Sequence, residues 1–340
     1  MKPKKVLITG IAGFIGFHLA EHLLQNGCEV IGLDNLNTYY DVDLKYARLE
    51  VLGVAKKEIE YYGREVKSTI HAELSVYQLK LEDRANLPKL FKAHQIDVVC
   101  NLAAQAGVRY SIENPEVYID TNITGFLNVL QCMRENDVKK IVYASSSSVY
   151  GNSDDVPFTV DQTVDHPISV YAATKKSNEL LAHTYAHLFG IQTIGLRFFT
   201  VYGPWGRPDM AIYLFADAIT NNKPIKVFNN GNLSRDFTYI DDIVEGITAT
   251  IMKDLPNNKL YGVYNIGNSS PVRLLDFIEA LEESFDKKAI KKMYPMQPGD
   301  VKQTWADVSS LNRDFGYTPS TDIRTGIHKF VEWYRGYYNS

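Results

Sequence analysis

At 340 residues, with 45% hydrophobic and 22% charged positions, the chain is neither disordered nor fibrous, and it is long enough to bury a core without staples. Lys and Arg (36) are outnumbered by Asp and Glu (40), and a formal net charge of -4 gives no global basic field for a nucleic-acid backbone or an anionic membrane. Cys28, Cys100 and Cys132 stand far apart and outside any CxxC spacing, which argues against a disulfide framework or a thiolate zinc site and fits a reducing, cytoplasmic location.

The start of the chain, MKPKKVLITGIAGFIGFHL, imitates a secretory leader. Thr9, Gly10, Gly13 and Gly16 break its apolar run, so it reads instead as a strand and its turn. No uninterrupted run approaches the roughly 18 apolar residues of a membrane span, and no membrane partner is expected. Residues 6–9 predict the first strand, and residues 14–25, with Phe14, Ile15, Leu19, Leu23 and Leu24 at helical spacing, the first helix. Further strands are predicted at 29–33 (closing at Asp34), 96–102 (closing at Ala103), 140–144 (closing in serines) and 193–197. Helical patterns lie between them, which indicates a parallel sheet covered on both faces. Past residue 200, Gly203, Pro204, Gly206 and Pro208 punctuate a loop, and shorter mixed elements follow. The expected fold is α/β, a Rossmann-type doubly wound sheet from residues 1–200 with 235–265 returning to it. Residues 201–234 and 266–340 are expected to form a smaller mixed α/β domain that binds the substrate.

Gly10, Gly13 and Gly16 fall where the first strand turns into the first helix. There, glycines let backbone approach a pyrophosphate and the helix N-terminus offers unpaired N–H groups. The spacing G-x-x-G-x-x-G differs from the commoner G-x-G-x-x-G. Asp34, 18 residues past Gly16, stands near the ~20 expected for the acid that accepts the adenosine ribose hydroxyl, and it would repel a 2′-phosphate. The expected cofactor is therefore NAD, held by Gly10, Gly13, Phe14, Ile15, Gly16, Asp34, Asn35 and Ala103. His18, Glu21 and His22 match an H-x-x-E-H zinc pattern, and His183 and His187 stand one helical turn apart. With no clear further ligand for either pair, both are read as structural and no metal is expected.

Tyr171 and Lys175 lie one helical turn apart on one face, so an ammonium and the positive nicotinamide would favour a phenolate general base. Ser145, Ser146, Ser147 and Ser148 end the preceding strand and bring hydroxyls to the carboxyl edge of the sheet, where ligands of open α/β sheets bind. Arg207, in a Gly/Pro-rich loop just past Thr200, is placed to grip a carboxylate with two parallel hydrogen bonds; the competing reading pairs it with Asp209.

The glycine turn, Asn101-Leu-Ala-Ala-Gln105, the serine-rich strand end, Tyr171/Lys175 and Arg197-Phe-Phe-Thr-Val-Tyr-Gly203-Pro204 resemble the extended short-chain dehydrogenase/reductases that act on nucleotide sugars. Thr200-Val-Tyr-Gly-Pro-Trp-Gly-Arg207-Pro-Asp-Met210-Ala and Pro295-Met-Gln297-Pro-Gly-Asp300-Val are most similar to the UDP-glucuronate 4-epimerases among them. The resemblance implies Ser146 and Tyr171 at the sugar 4-hydroxyl, Lys175 on the nicotinamide ribose, and Ser147, Ser148 and Thr200 along the sugar. It also implies Arg235 on the diphosphate and Asp300 on the uridine ribose. The sequence departs from the family at two places. Lys80 stands where an Asp beside adenine is common, with a backbone group of Leu81 as its replacement, and Gln297 stands where many sugar epimerases carry Arg. The expected substrate is a UDP-hexuronic acid. Carbon 4 would be oxidised by NAD, the 4-keto sugar would turn over about its diphosphate link, and hydride would return to the other face. A 4,6-dehydratase would carry an Asp-Glu pair at Ser147 and Ser148, and a UDP-glucuronate decarboxylase a Glu at Ser148. A UDP-glucose or UDP-N-acetylglucosamine 4-epimerase is a further alternative, and a non-catalytic NAD sensor would be expected to lack Tyr171 or Lys175. A homodimer joined through residues 122–133 and 178–189 is expected.

Overall fold

Val6, Leu7 and Ile8 are fully buried in β1 (Lys5–Thr9), because a strand covered on both faces has no polar side to offer. The computed structural model describes residues 4–296 and 301–338. In chain order β1 is followed by helix Phe14–Gln25, β2 (Glu29–Asp34), β3 (Glu65–Lys67), β4 (Leu74–Gln78), β5 (Val98–Asn101), β6 (Lys140–Ser146) and β7 (Gln192–Phe198). After these come β8 (Thr200–Tyr202), β9 (Pro224–Val227), β10 (Ser234–Tyr239), β11 (Tyr261–Ile266), β12 (Pro271–Arg273) and β13 (Ile290–Met293).

Among the described residues eight strands form one sheet in the order β11-β7-β6-β5-β1-β2-β4-β3, parallel except for β3 against β4. The order reverses between β1 and β5, so the loops leaving those strands part there and open a crevice. Alternate residues go to opposite faces. Leu7, Ile31, Val99 and Ile141 pack with Phe126 and Leu130 in one core cluster, whereas Val6, Ile8, Val30 and Val142 join Phe17 and Ile247 in another. The α/β expectation is met, with smaller sheets β12-β10-β8 and β13-β9 built mainly past residue 200.

Several predicted edges shift, and two of the shifts bear on the cleft. Strand β6 runs on to Ser146, because Ser145 and Ser146 keep pairing with Arg197 and Phe198 of β7. The stretch expected as helix 122–133 begins inside a π-helical segment, Ile119–Gly125, before helix Phe126–Glu135. That local widening lets Asn122 bond out of the helix: it accepts from the Gln105 N–H at 2.8 Å and donates to the Gln105 carbonyl and to Thr174 Oγ1, both at 3.0 Å. Among the described residues no helix is long and apolar enough to cross a membrane.

Candidate active site

The glycine turn is wound so tightly that side chains are excluded. Gly10 has φ +79°, a Cβ there would lie 2.9 Å from the Ala103 nitrogen, and a Cβ at Gly16 would overlap the Gly10 carbonyl. Helix Phe14–Gln25 starts at Gly13 with no side-chain cap, which leaves its first N–H groups for a ligand. Asp34 is buried at the end of β2; Oδ1 accepts from the Leu36 N–H at 2.9 Å and Oδ2 from the Ala12 N–H at 3.2 Å. Each oxygen keeps lone-pair capacity for a ribose hydroxyl. Lys45 Nζ lies 4.0 Å from Asp34 Oδ1 and donates to Asn37.

Leu81, expected beside adenine, has a carbonyl that accepts from Asn128 Nδ2 at 3.0 Å, which leaves its N–H and one carbonyl lone pair for a ligand. Glu82, which the sequence reading passed over, accepts from Thr121 Oγ1 at 2.6 Å through Oε1, while Oε2 is buried in the same cleft without a partner. A buried orphan acceptor is costly unless a ligand donor meets it, and the adenine amino group is such a donor. The turn, the uncapped helix, Asp34 and Glu82 together fit an adenine dinucleotide.

At the other end of the crevice, Tyr171 and Lys175 occupy the first turns of helix Val170–Phe189, which Ser169 caps by accepting from the Ala172 N–H at 3.1 Å. Lys175 Nζ donates to the Ala144 carbonyl of β6 at 2.6 Å and lies 5.9 Å from the Tyr171 ring centre. Burial lowers the Lys175 ammonium to about 8 and raises the Tyr171 phenol; a hydrogen bond with Ser146 and the Arg207 charge pull the phenol the other way. Ser146 closes β6, and its Oγ accepts from the Ser148 N–H at 3.2 Å and the Ser148 hydroxyl at 3.0 Å. Tyr171 and Lys175 thus share the face their spacing implied, and Ser146 reaches the Tyr171 phenol with a hydrogen bond.

Thr200 opens β8, and Arg235 lies in β10 with Nη1 donating to the Ser234 carbonyl at 2.9 Å and the Lys302 carbonyl at 3.2 Å. Arg207 has Asp209 as its neighbour: Nε donates to Oδ1 at 3.0 Å and Nη2 to Oδ2 at 2.5 Å, while Tyr39 donates to Oδ2 at 3.2 Å. The two-pronged edge expected to hold a sugar carboxylate is therefore held by Asp209, and Nη1 is the edge left over. Asp300 and Gln297 lie outside the described residues. One cleft of about 1200 Å³ joins the rest, from the glycine turn, Asp34, Asn35, Leu81 and Ala103, through Ser146 to Ser148, Tyr171 and Lys175, to Thr200, Arg207 and Arg235.

Other buried polar groups support this cleft from behind. Glu179, one turn past Lys175, pairs with Arg197 at 2.9 and 3.0 Å and accepts from Ser145 at 2.7 Å, tying the helix to β6 and β7. One histidine of each pair has a structural contact: His18 Nε2 donates to the Pro204 carbonyl at 2.9 Å, and His183 packs edge-on to Tyr261. Among the described residues no group of three or more His, Cys, Asp or Glu could hold a metal ion.

Residues 6–267 match the model of the NAD dependent epimerase/dehydratase family. Protein CapI of Staphylococcus aureus is 51% identical, over 98% of this chain and 99% of that protein. UDP-glucuronate 4-epimerase 2 of Arabidopsis thaliana is 45% identical, over 98% of this chain and 76% of that protein. In structure, the chain is similar to the UDP-glucuronic acid 4-epimerase from Bacillus cereus, solved in complex with UDP-glucuronic acid and NAD. The TM-score is 0.87 at 33% identity, covering 98% of this chain and 100% of that one.

Proposed function

This chain belongs to the NAD-dependent epimerase/dehydratase family, and from that premise we propose that it inverts carbon 4 of a UDP-hexuronic acid, interconverting UDP-glucuronate and UDP-galacturonate. The observation that carries the reading is the single cleft in which a dinucleotide-shaped end, the Ser146–Tyr171–Lys175 cluster and Arg207 succeed one another. NAD, held by the glycine turn, Asp34 and Glu82, would supply the reversible oxidation of carbon 4. The protein supplies position and proton transfer.

Tyr171 takes the proton of the 4-hydroxyl as a phenolate, with the Ser146 hydroxyl as relay. A Lys175 ammonium one turn away, with the Ser146 hydrogen bond and the Arg207 charge, works against the burial that raises the Tyr171 phenol and so favours the phenolate. The bond to the Ala144 carbonyl keeps that ammonium in place. Ser147, Ser148 and Thr200 line the sugar, Arg235 serves the diphosphate, and Asp300 the uridine ribose. Arg207 meets the sugar carboxylate through Nη1, while its Nε and Nη2 bond Asp209, whose Oδ2 also accepts from the Tyr39 hydroxyl. A carboxylate fixed by a cation suits a β-keto acid intermediate that has to keep its CO₂. Ser147 and Ser148 offer hydroxyls where a dehydratase needs an acid and a base, which favours epimerisation over elimination.

Of the stripes expected at a dimer interface, Phe126, Leu130 and Tyr185 turn into the core, whereas Leu180 and Leu188 are 58% and 60% exposed on helix Val170–Phe189. We assign that exposed edge to a second copy of the chain, and a monomeric mass in solution at micromolar concentration would exclude it. Three buried free cysteines suit a reducing cytoplasm.

The experiment is turnover of UDP-glucuronate by wild type and Tyr171→Phe, with bound NAD measured in each. Loss of a general base lowers the rate by roughly 10²–10⁴. Near-full turnover by Tyr171→Phe with NAD bound would remove Tyr171 from this role.

A further inference from the structure

Three consecutive carbonyls precede Arg207, and each is held by a side chain from the cofactor side of the crevice. His18, on the helix that follows the glycine turn, donates through Nε2 to the Pro204 carbonyl at 2.9 Å. Arg48 donates to the Trp205 carbonyl through Nε at 3.1 Å and Nη2 at 2.6 Å, and through Nη2 to the Gly206 carbonyl at 3.1 Å. Its Nη1 donates to the Ala12 carbonyl, inside the glycine turn, and to the Tyr40 hydroxyl, both at 2.8 Å. All five N–H donors of the guanidinium are thereby used.

Arg48 is fully buried, and every one of these acceptors is neutral. Burying a cation without a carboxylate at contact is expensive, and a helix that needed only packing would carry an apolar side chain there. What the arginine achieves is geometric: one rigid plane bridges Ala12 of the glycine turn and the backbone just before Arg207. The loop is held in a conformation it would not adopt unaided. Trp205 has φ +57°, a left-handed value unfavourable for a bulky residue, and its ring rests against Phe17, the neighbour of His18.

We propose that Arg48 and His18 are positioning residues that transmit the geometry of the glycine turn to Arg207, so that the contact with the sugar carboxylate is set from the cofactor side. This rests on the reading of Arg207 given above. It predicts that loosening either tie acts on carboxylate recognition before it acts on cofactor retention.

The test measures KM for UDP-glucuronate, the inhibition constant of UDP-glucose as a competitor, and bound NAD in Arg48→Gln, His18→Leu, Arg207→Ala and the double variant Arg48→Gln/Arg207→Ala. Arg48→Gln and His18→Leu are expected to keep NAD. Each should raise KM for UDP-glucuronate about tenfold, the scale of one lost charge-assisted bond, and shift the UDP-glucose constant by less than about twofold. The double variant should be no worse than Arg207→Ala alone, since residues acting through one another are not additive. Equal losses on both sugars in the Arg48 and His18 variants, or additive losses in the double variant, would overturn the proposal while leaving Arg207 its role. Equal losses in Arg207→Ala itself would instead overturn the reading of Arg207 and the proposal with it. Should Arg48→Gln fail to fold, His18→Leu decides alone, because it removes a single tie.

Discussion

Arg207 and Asp209, two residues apart, bind each other through both carboxylate oxygens, so the charge proposed to meet the sugar carboxylate is partly neutralised. Asp209→Asn keeps a hydrogen-bonding group beside the guanidinium and removes the competing negative charge. Selectivity for UDP-glucuronate over UDP-glucose, measured as the ratio of kcat/KM, should rise by up to about fivefold, the worth of one partly exposed ion pair. A fall in that ratio would mean that Asp209 serves to hold Arg207 rather than to compete for it.

Cofactor choice is expected to depend on Asp34 and on Lys45 behind it. Asp34→Ala removes the ribose acceptor and leaves Lys45, now 4.0 Å from a carboxylate oxygen, free to attract a 2′-phosphate. NAD should weaken by about tenfold and NADP should gain, as expected when a charged hydrogen-bond partner is lost and a repulsion is lifted. Titration with both cofactors checks this, and an unchanged preference would take Asp34 out of the site.

Glu82 makes a sharper prediction because its Oε2 has no protein partner. Glu82→Ala should weaken NAD by about tenfold and leave nicotinamide hypoxanthine dinucleotide, which lacks the amino group, bound equally by wild type and variant. Equal weakening of the two dinucleotides would show that Glu82 shapes the pocket without touching adenine.

Much of this was legible in the sequence where the determinant is local. Strands β1, β2 and β6 are mainly apolar runs that lead up to Gly10, Asp34 and Ser146, and the glycines, Tyr171 and Lys175 carry their meaning in their spacing. Arg48, Glu82 and the Glu179–Arg197 pair were not legible, because their roles come from partners supplied by the fold. His18 illustrates the difference: its sequence neighbours Glu21 and His22 suggest zinc, while its bonding partner, the Pro204 carbonyl, lies 186 residues away.

The same histidine gives a pH dependence. Burial, opposed by the bond to Pro204 and aided by the Arg48 charge, lowers His18 from 6.5 to about 4. Between those values the unfolded chain takes up the proton first, so the stability His18 contributes is complete above pH 6.5 and is lost as the pH falls toward 4. The full span corresponds to roughly 3 kcal/mol. The melting temperature of the wild type should drop between pH 7 and pH 4.5 more steeply than that of His18→Gln; parallel curves would show that His18 titrates normally.

Inversion of carbon 4 with the carboxylate kept is read by incubating the purified protein with UDP-glucuronate labelled with ¹³C at carbon 6 and following the sugar signals by NMR. UDP-galacturonate should appear in equilibrium with UDP-glucuronate, with the label retained in both. Labelled CO₂ appearing with UDP-xylose or a UDP-4-keto-pentose as the main product, or no conversion by protein that carries NAD, would contradict it.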